Sequence, residues 1–220
     1  MKQKGRRPGG RKPSGRKQCP DSRRHPDSFT RRAKKQGFPA RSVFKLEEMD
    51  RRLRLLSHGK RVLDLGAAPG SWSLYAAKSV GPSGSVLGLD ITEHRGALPD
   101  NLEMRVVDVF DLDPEHLPGP FDVVLSDMAP ATSGSRVRDQ FRSYELVLQA
   151  LLISDKVLAK GGTLVAKIFQ GPEFSCARDE VRTRFKECRI MRPEAVRRES
   201  FETYLVGLDR KISCGESSKT

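Results

Sequence analysis

Long apolar runs are missing from this 220-residue chain: none approaches the ~20 residues that a membrane-crossing helix requires. The opening Met1-Lys2-Gln3-Lys4-Gly5-Arg6-Arg7 has no apolar segment, so a secretory leader is not expected. Cysteine is sparse and scattered. Cys19, Cys176, Cys188 and Cys214 show no C-x-x-C spacing, which excludes a recognisable disulfide framework or zinc site and leaves a reducing, cytoplasmic compartment as the expectation. The four histidines are equally dispersed, so no metal is expected. Aromatic residues make up only 6% of the chain, with one Trp and three Tyr.

Acidic residues are nearly absent from one region. Residues 1–35 hold 14 Lys and Arg against Asp21 and Asp27, so most of the net charge of +13 sits there. That stretch is rich in Gly, Pro and Ser and poor in large apolar side chains, a composition that cannot offset the entropy cost of folding. Residues 1–33 are therefore expected to be a disordered basic arm that binds polyanions by counterion release. A single domain is expected over residues 34–211, and a short flexible tail over residues 212–220. A monomer is expected.

From about residue 40 the texture becomes that of a folded domain. Val43, Leu46, Met49, Leu53 and Leu56 recur at helical spacing. Short apolar runs at 61–65, 85–90, 102–107, 121–127, 163–169 and 203–208 read as strands, with a short strand at 189–191. Helical stretches at 72–80, 141–158 and 176–185 lie between them, the long one stopping at Lys160-Gly161-Gly162. Alternation of this kind predicts an α/β fold of Rossmann-like type: a mostly parallel central sheet with helices on both faces.

The most informative stretch is Arg61-Val62-Leu63-Asp64-Leu65-Gly66-Ala67-Ala68-Pro69-Gly70-Ser71-Trp72, a buried strand running into a glycine turn that opens a helix. At such junctions α/β proteins place nucleotide-like ligands. Gly66 and Gly70 allow a tight turn and close approach of a ligand. Their spacing is not the G-x-G-x-x-G of a dinucleotide binder, and it suits a nucleoside bearing an amino-acid tail, that is, S-adenosylmethionine. Asp90 ends the second strand, where a carboxylate accepts hydrogen bonds from ribose hydroxyls. Asp108 follows the third strand, placed either to meet an adenine amino group or to cap a helix.

Lys167 is anomalous. It interrupts the apolar run Thr163-Leu164-Val165-Ala166-Lys167-Ile168-Phe169, where an unpaired ammonium is costly. Burial and a second cation lower a lysine's proton affinity, which would make it a general base for a hydroxyl. Lys45, at the start of the first amphipathic helix, is the candidate second cation. Asp127 ends the fourth strand in Ser126-Asp127-Met128-Ala129-Pro130, and Glu202 opens the last strand.

These motifs, in this order, make the region 34–211 resemble the FtsJ/RrmJ family of ribosomal RNA ribose 2′-O-methyltransferases. Asp64 to Trp72, Ser126 to Pro130, Lys167-Ile168-Phe169-Gln170-Gly171 and Arg41 to Leu46 carry the likeness. The chain departs from the family pattern at Ser71, where a second glycine is usual, and at Ala131, where Asn is frequent. The resemblance implies a catalytic Lys45, Asp127, Lys167 and Glu202, and cofactor contacts at Gly70, Trp72, Asp90, Asp108 and Asp127. It also implies methylation of a uridine 2′-hydroxyl of large-subunit rRNA in the assembled subunit. Phosphates and shape should then dominate recognition, with Arg32, Lys34, Lys35 and Arg41 lining the RNA approach. Two readings stay open beside it: a non-catalytic ribosome-assembly factor, and a tRNA 2′-O-methyltransferase. An mRNA-cap enzyme would be expected to need a guanine-stacking pocket, which the scarcity of aromatics disfavours.

Overall fold

The computed structural model describes residues 28–211. Most of the basic arm (1–27) and the tail (212–220) lie outside the described residues. Residues 28–33, assigned to the disordered arm on composition, are instead the start of a helix, α1 (Ser28–Lys35). The signal that composition averages away is a pair of apolar residues on one side. Ala33 is 1% exposed, and the Phe29 ring lies 5.6 Å from that of Phe44 in α2 (Val43–Leu53).

The remaining elements follow as β1 (Arg61–Leu65), α3 (Ser71–Val80), β2 (Ser85–Asp90), β3 (Leu102–Val106), a 3-10 turn (Pro114–His116) and β4 (Phe121–Ser126). After them come α4 (Arg136–Val157), β5 (Leu158–Phe169), α5 (Phe174–Arg184), β6 (Phe185–Met191) and β7 (Glu202–Arg210). The seven strands form one sheet in the order β3-β2-β1-β4-β5-β7-β6. Strands β3, β2, β1, β4 and β5 run parallel, while β7 enters antiparallel between β5 and β6. The doubly wound sheet expected from the alternating pattern is what forms.

Several boundaries differ from the sequence reading: α4 begins at Arg136, β5 at Leu158 and β6 at Phe185, each earlier than expected. Helix α4 stops at Val157, ahead of the glycine pair, and Leu158 already pairs with Phe121. The register then shifts, and Gly161, at φ +76°, absorbs the irregularity before Val123 meets Thr163. Buried Arg210 donates to the Leu158 carbonyl (2.9 Å) and the Asp155 carbonyl (2.7 Å), satisfying groups that a helix end leaves open. Strand β6 is longer than expected because its exposed polar side chains hide the alternation at its start.

Side-chain alternation sorts the strands into two cores. Leu63, Leu65, Val124, Leu164, Ala166, Ile168 and Leu205 pack with Leu151 and Ile153 of α4 and Val181 of α5. Val62, Val123, Leu125, Val165, Tyr204 and Val206 pack with Leu46 and Met49 of α2 and Trp72 and Ala76 of α3. Full burial of each aliphatic side chain contributes about 1.5–3 kcal/mol. The same alternation, carried to the strand ends, directs Asp127, Lys167 and Glu202 to the face that α2 covers.

Gly207 in β7 lies under the buried Phe185 ring, and a Cβ there would stand 2.5 Å from Phe185 Cδ2. Gly207→Ala should therefore destabilise the fold by about 1–3 kcal/mol. Urea unfolding should show a lower midpoint at unchanged slope; an unchanged midpoint would mean that the ring moves aside.

Candidate active site

Strand β1 runs into a turn that only glycine can open. Gly66 has φ +76°, and a Cβ on it would stand 2.6 Å from Met128 Cγ. The crowding follows from register, since Leu65 pairs with Ser126 and the chains leaving β1 and β4 press together. The Gly66 and Ala67 amides donate to the Leu89 carbonyl at 2.8 and 3.1 Å. Asp90 ties the turn further: Oδ2 accepts from the Ala68 amide (2.9 Å) and Oδ1 from the Thr92 amide (2.8 Å).

Between these loops opens a cleft of about 390 Å³, lined by Gly66, Asp90, Ile91, Asp108, Phe110 and Asp127 among others. That volume lies within the ~300–1,000 Å³ usual for cofactor sites. Asp90 stands at one wall with carboxylate lone pairs beyond those its two amide donors use. Asp108, exposed at the rim, accepts from the Phe110 amide at 3.0 Å. Ile91 and Phe110 are large apolar side chains left 71% and 56% exposed beside these acids. Acids flanked by apolar surface suit a nucleoside, so the residues present fit the group that the glycine spacing suggested.

Gly70 and Trp72 do not line this cleft. Gly70, at φ +105°, opens α3 and faces His94, which a Cβ would meet at 3.0 Å. The Trp72 indole is buried at 3% exposure, 5.7 Å from the Tyr204 ring, and its Nε1 donates to the Ser42 carbonyl (2.8 Å). Its side chain thus fastens the start of α2, the helix that carries Lys45. Its main-chain N–H lies in the first turn of α3, where no intrahelical carbonyl can receive it.

Next to the cleft, the four expected catalytic residues come together. Lys167 is 7% exposed; its Nζ lies 3.1 Å from Asp127 Oδ1 and donates to the Asp127 main-chain carbonyl. Lys45 Nζ lies 2.5 Å from Glu202 Oε1. The cluster thus holds two ion pairs, each lysine meeting its own carboxylate.

What joins the pairs is a residue the motif reading passed over. Tyr204 OH donates to Asp127 Oδ1 at 2.8 Å and lies 3.4 Å from Glu202 Oε1. Tyr204 is the cross-strand partner of Lys167, and Lys45 Nζ sits 6.0 Å from its ring centroid. Burial, reinforced by the charges of Asp127 and Glu202, pushes the phenol well above its ordinary range, so it acts as a fixed hydrogen-bond donor. The one available signal was period-two alternation, which sets Tyr204 on the same face as Glu202.

Of the residues expected to meet RNA, Lys34 and Lys35 are exposed on α1. Arg32, also exposed, and the half-buried Arg41 in addition join elements together. The Arg32 guanidinium lies 4.3 Å over the Phe44 ring and 3.4 Å from Glu47. Arg41 donates to the Ala195 carbonyl at 2.5 Å and lies over the Phe29 ring at 5.2 Å. Among the described residues, no group of three or more His, Cys, Asp or Glu could hold a metal ion, and no helix is long and apolar enough to cross a membrane.

A cleft at the carboxyl ends of β1, β2 and β4, with ionisable groups at its edge, marks an α/β enzyme of the kind that binds a nucleotide-like cofactor. The chain belongs to the FtsJ-like methyltransferase family, whose profile matches residues 38–210. A protein of Sorangium cellulosum named ribosomal RNA large subunit methyltransferase E is 52% identical over 192 residues, covering 86% of this chain and 91% of that one. The protein of that name in Nitratidesulfovibrio vulgaris is 46% identical over 203 residues, covering 90% and 100%. A solved structure described as a ribosomal RNA methyltransferase of Plasmodium falciparum shares the fold, with TM-score 0.69, 21% identity and coverage of 79% and 98%.

Asp64 lies beneath the glycine turn and is fully buried. Ser73 Oγ donates to its Oδ2 at 2.5 Å, while Oδ1 has no partner. Burial pushes its carboxyl up to about 7, and the nearby Asp127 and Asp90 charges act the same way. An unfolded aspartate ionises near 4. Between the two values the folded chain holds a proton that the unfolded chain has lost, so stability falls as pH rises through this window. Asp64→Asn removes that dependence. Its stability relative to the parent should rise from pH 5 to pH 8 in thermal unfolding, and a pH-independent difference would refute a protonated Asp64.

Proposed function

We propose that this chain transfers a methyl group to a ribose 2′-hydroxyl of large-subunit ribosomal RNA, at a uridine in the assembled subunit. The observation that carries this reading is the position of Asp127, which borders the cleft and also holds Lys167. The names of the relatives support the substrate, and the family resemblance supplies the uridine and the assembled particle.

The cleft would hold S-adenosylmethionine, with Asp90 at the ribose, Asp108 at the base and the Gly66 turn at the amino-acid tail, while Gly70 and Trp72, outside that lining, would support the turn from the start of α3. Bound there, it would supply a methyl group already activated by a sulfonium. The protein's task is then mainly to position the acceptor hydroxyl and manage its proton. Lys167 must first release its own ammonium proton to solvent; its neutral Nζ then takes the proton from the ribose oxygen as that oxygen bonds the methyl carbon. Asp127 aims Lys167 through both its carboxylate and its carbonyl. Lys45 and Glu202 hold the ribose from the α2 side, and Tyr204 keeps both carboxylates in place. The basic arm adds non-specific affinity for phosphates.

Two experiments test this. Labelled methyl transfer to purified large subunits, followed by nucleoside analysis, should yield a 2′-O-methylated nucleoside with the parent and none with Lys167→Ala. Lys167→Arg should also fail, because arginine stays charged and cannot accept the proton. Partial activity of the arginine variant would assign Lys167 to electrostatic stabilisation of the alkoxide. In the second experiment, removal of residues 1–27 should weaken RNA binding and flatten its salt dependence while cofactor affinity is unchanged. An unaltered salt slope would make the arm a bystander.

A further inference from the structure

One surface feature beside the Lys–Asp–Lys–Glu cluster has no part in the chemistry above. Phe201 immediately precedes Glu202, and Phe169 is the cross-strand partner of Glu202 in the β5–β7 ladder. Their rings meet edge to face, 4.9 Å apart at 74°. Over the Phe201 ring, 4.9 Å from its centroid, lies the guanidinium of Arg136, the first residue of α4. Arg136 is exposed, and both phenylalanines are only half-buried.

The support beneath Phe201 is rigid. Arg192 donates to the main-chain carbonyls on both sides of it, Ser200 (2.6 Å) and Glu202 (2.9 Å), and to that of Arg197 (3.3 Å). The Gln170 amide donates to the Phe201 carbonyl itself at 2.9 Å. An aromatic ring whose main chain is held at three successive carbonyls, topped by an exposed planar cation, forms a prepared stacking surface. Single-stranded RNA is bound through bases stacked on aromatic rings and on guanidinium planes. The ribose that meets Lys167 must carry its base and its neighbours' bases out of the cluster, and this surface adjoins the cluster through Glu202.

We propose that Arg136, backed by Phe201 and Phe169, is a stacking platform for an unpaired base of the substrate RNA, at the reacting nucleotide or one beside it. The proposal rests on the RNA-methyltransferase reading. It assigns Arg136 a role set by planarity, and Phe201 a role as its support; neither takes part in proton transfer.

Charge and planarity are separable by experiment. Affinity for a single-stranded oligonucleotide carrying the target uridine is measured by fluorescence anisotropy, and KM and kcat for methyl transfer are measured on purified large subunits. Arg136→Lys keeps the charge and loses the plane, and Phe201→Ala removes the support. Each should weaken binding and raise KM for RNA by about 5- to 100-fold, the range expected on losing one base stack, with kcat and cofactor affinity little changed. Arg136→Tyr and Phe201→Trp keep planar surfaces and should retain most of the affinity. An abasic substitution at the target or a flanking position should weaken binding to the parent protein but add little to the Arg136→Lys loss.

Full affinity in Arg136→Lys, or equal loss in Arg136→Lys and Arg136→Tyr, would overturn the platform and leave a phosphate contact or a structural role. Binding that follows planarity without methyl transfer to any RNA would uphold the platform and sink the reaction. Methyl transfer with normal KM in both disruptive variants would do the reverse.

Discussion

A lysine ammonium in the middle of an apolar sheet is the constraint around which this molecule is arranged. Lys167 is almost wholly buried and meets two oxygens of one residue, the carboxylate and the carbonyl of Asp127. Breaking a buried charge pair by removing one partner costs about 3–5 kcal/mol, because the survivor is left uncompensated. The pair therefore adds a side-chain tie between the ends of β4 and β5 to the ladder that joins them. It also places a carboxylate at the boundary between the cleft and the Lys–Asp–Lys–Glu cluster. With Tyr204 on the same oxygen at 2.8 Å, Asp127 has little freedom to turn away.

The elements around that pair restrict its partners. Trp72 covers Tyr204 from α3 and bonds the Ser42 carbonyl, so the helix bearing Lys45 is fastened to the helix that follows the glycine turn. Glu48 of α2 accepts from the Glu194 amide at 2.7 Å, and Arg41 reaches the Ala195 carbonyl. The loop leading to Glu202 is thus tied to the helix that carries Lys45. Donor and acceptor positions come from rigid elements with a second layer of hydrogen bonds behind them, which is what in-line transfer between two small groups needs.

Charge is divided by purpose. Outside residues 1–35 the chain is close to electroneutral, with 27 basic and 26 acidic residues. Several arginines of the folded part act within the structure: Arg41, Arg192 and Arg210 cap carbonyls, and Arg32 covers an aromatic ring. On the proposed reading, attraction to phosphate would rest largely on the basic arm, and contact near the reacting ribose on planar groups such as Arg136.

Linear pattern alone determined the α/β class, the glycine turn, the strand-end acids and the oddity of Lys167. Each is a local signal: spacing, alternation, or a charge where none belongs. Tertiary structure decided the rest. Tyr204 in an apolar strand cannot be told from core by pattern, and its role exists only because Lys167, Asp127 and Glu202 converge on it. The pairing of Lys45 with Glu202 depends on how α2 docks across the sheet. The antiparallel entry of β7 between β5 and β6 is a choice of long-range hydrogen bonds that no local propensity encodes. Residues 28–33 became helix because Phe29 and Ala33 found a surface to bury against, and composition cannot report the presence of such a surface.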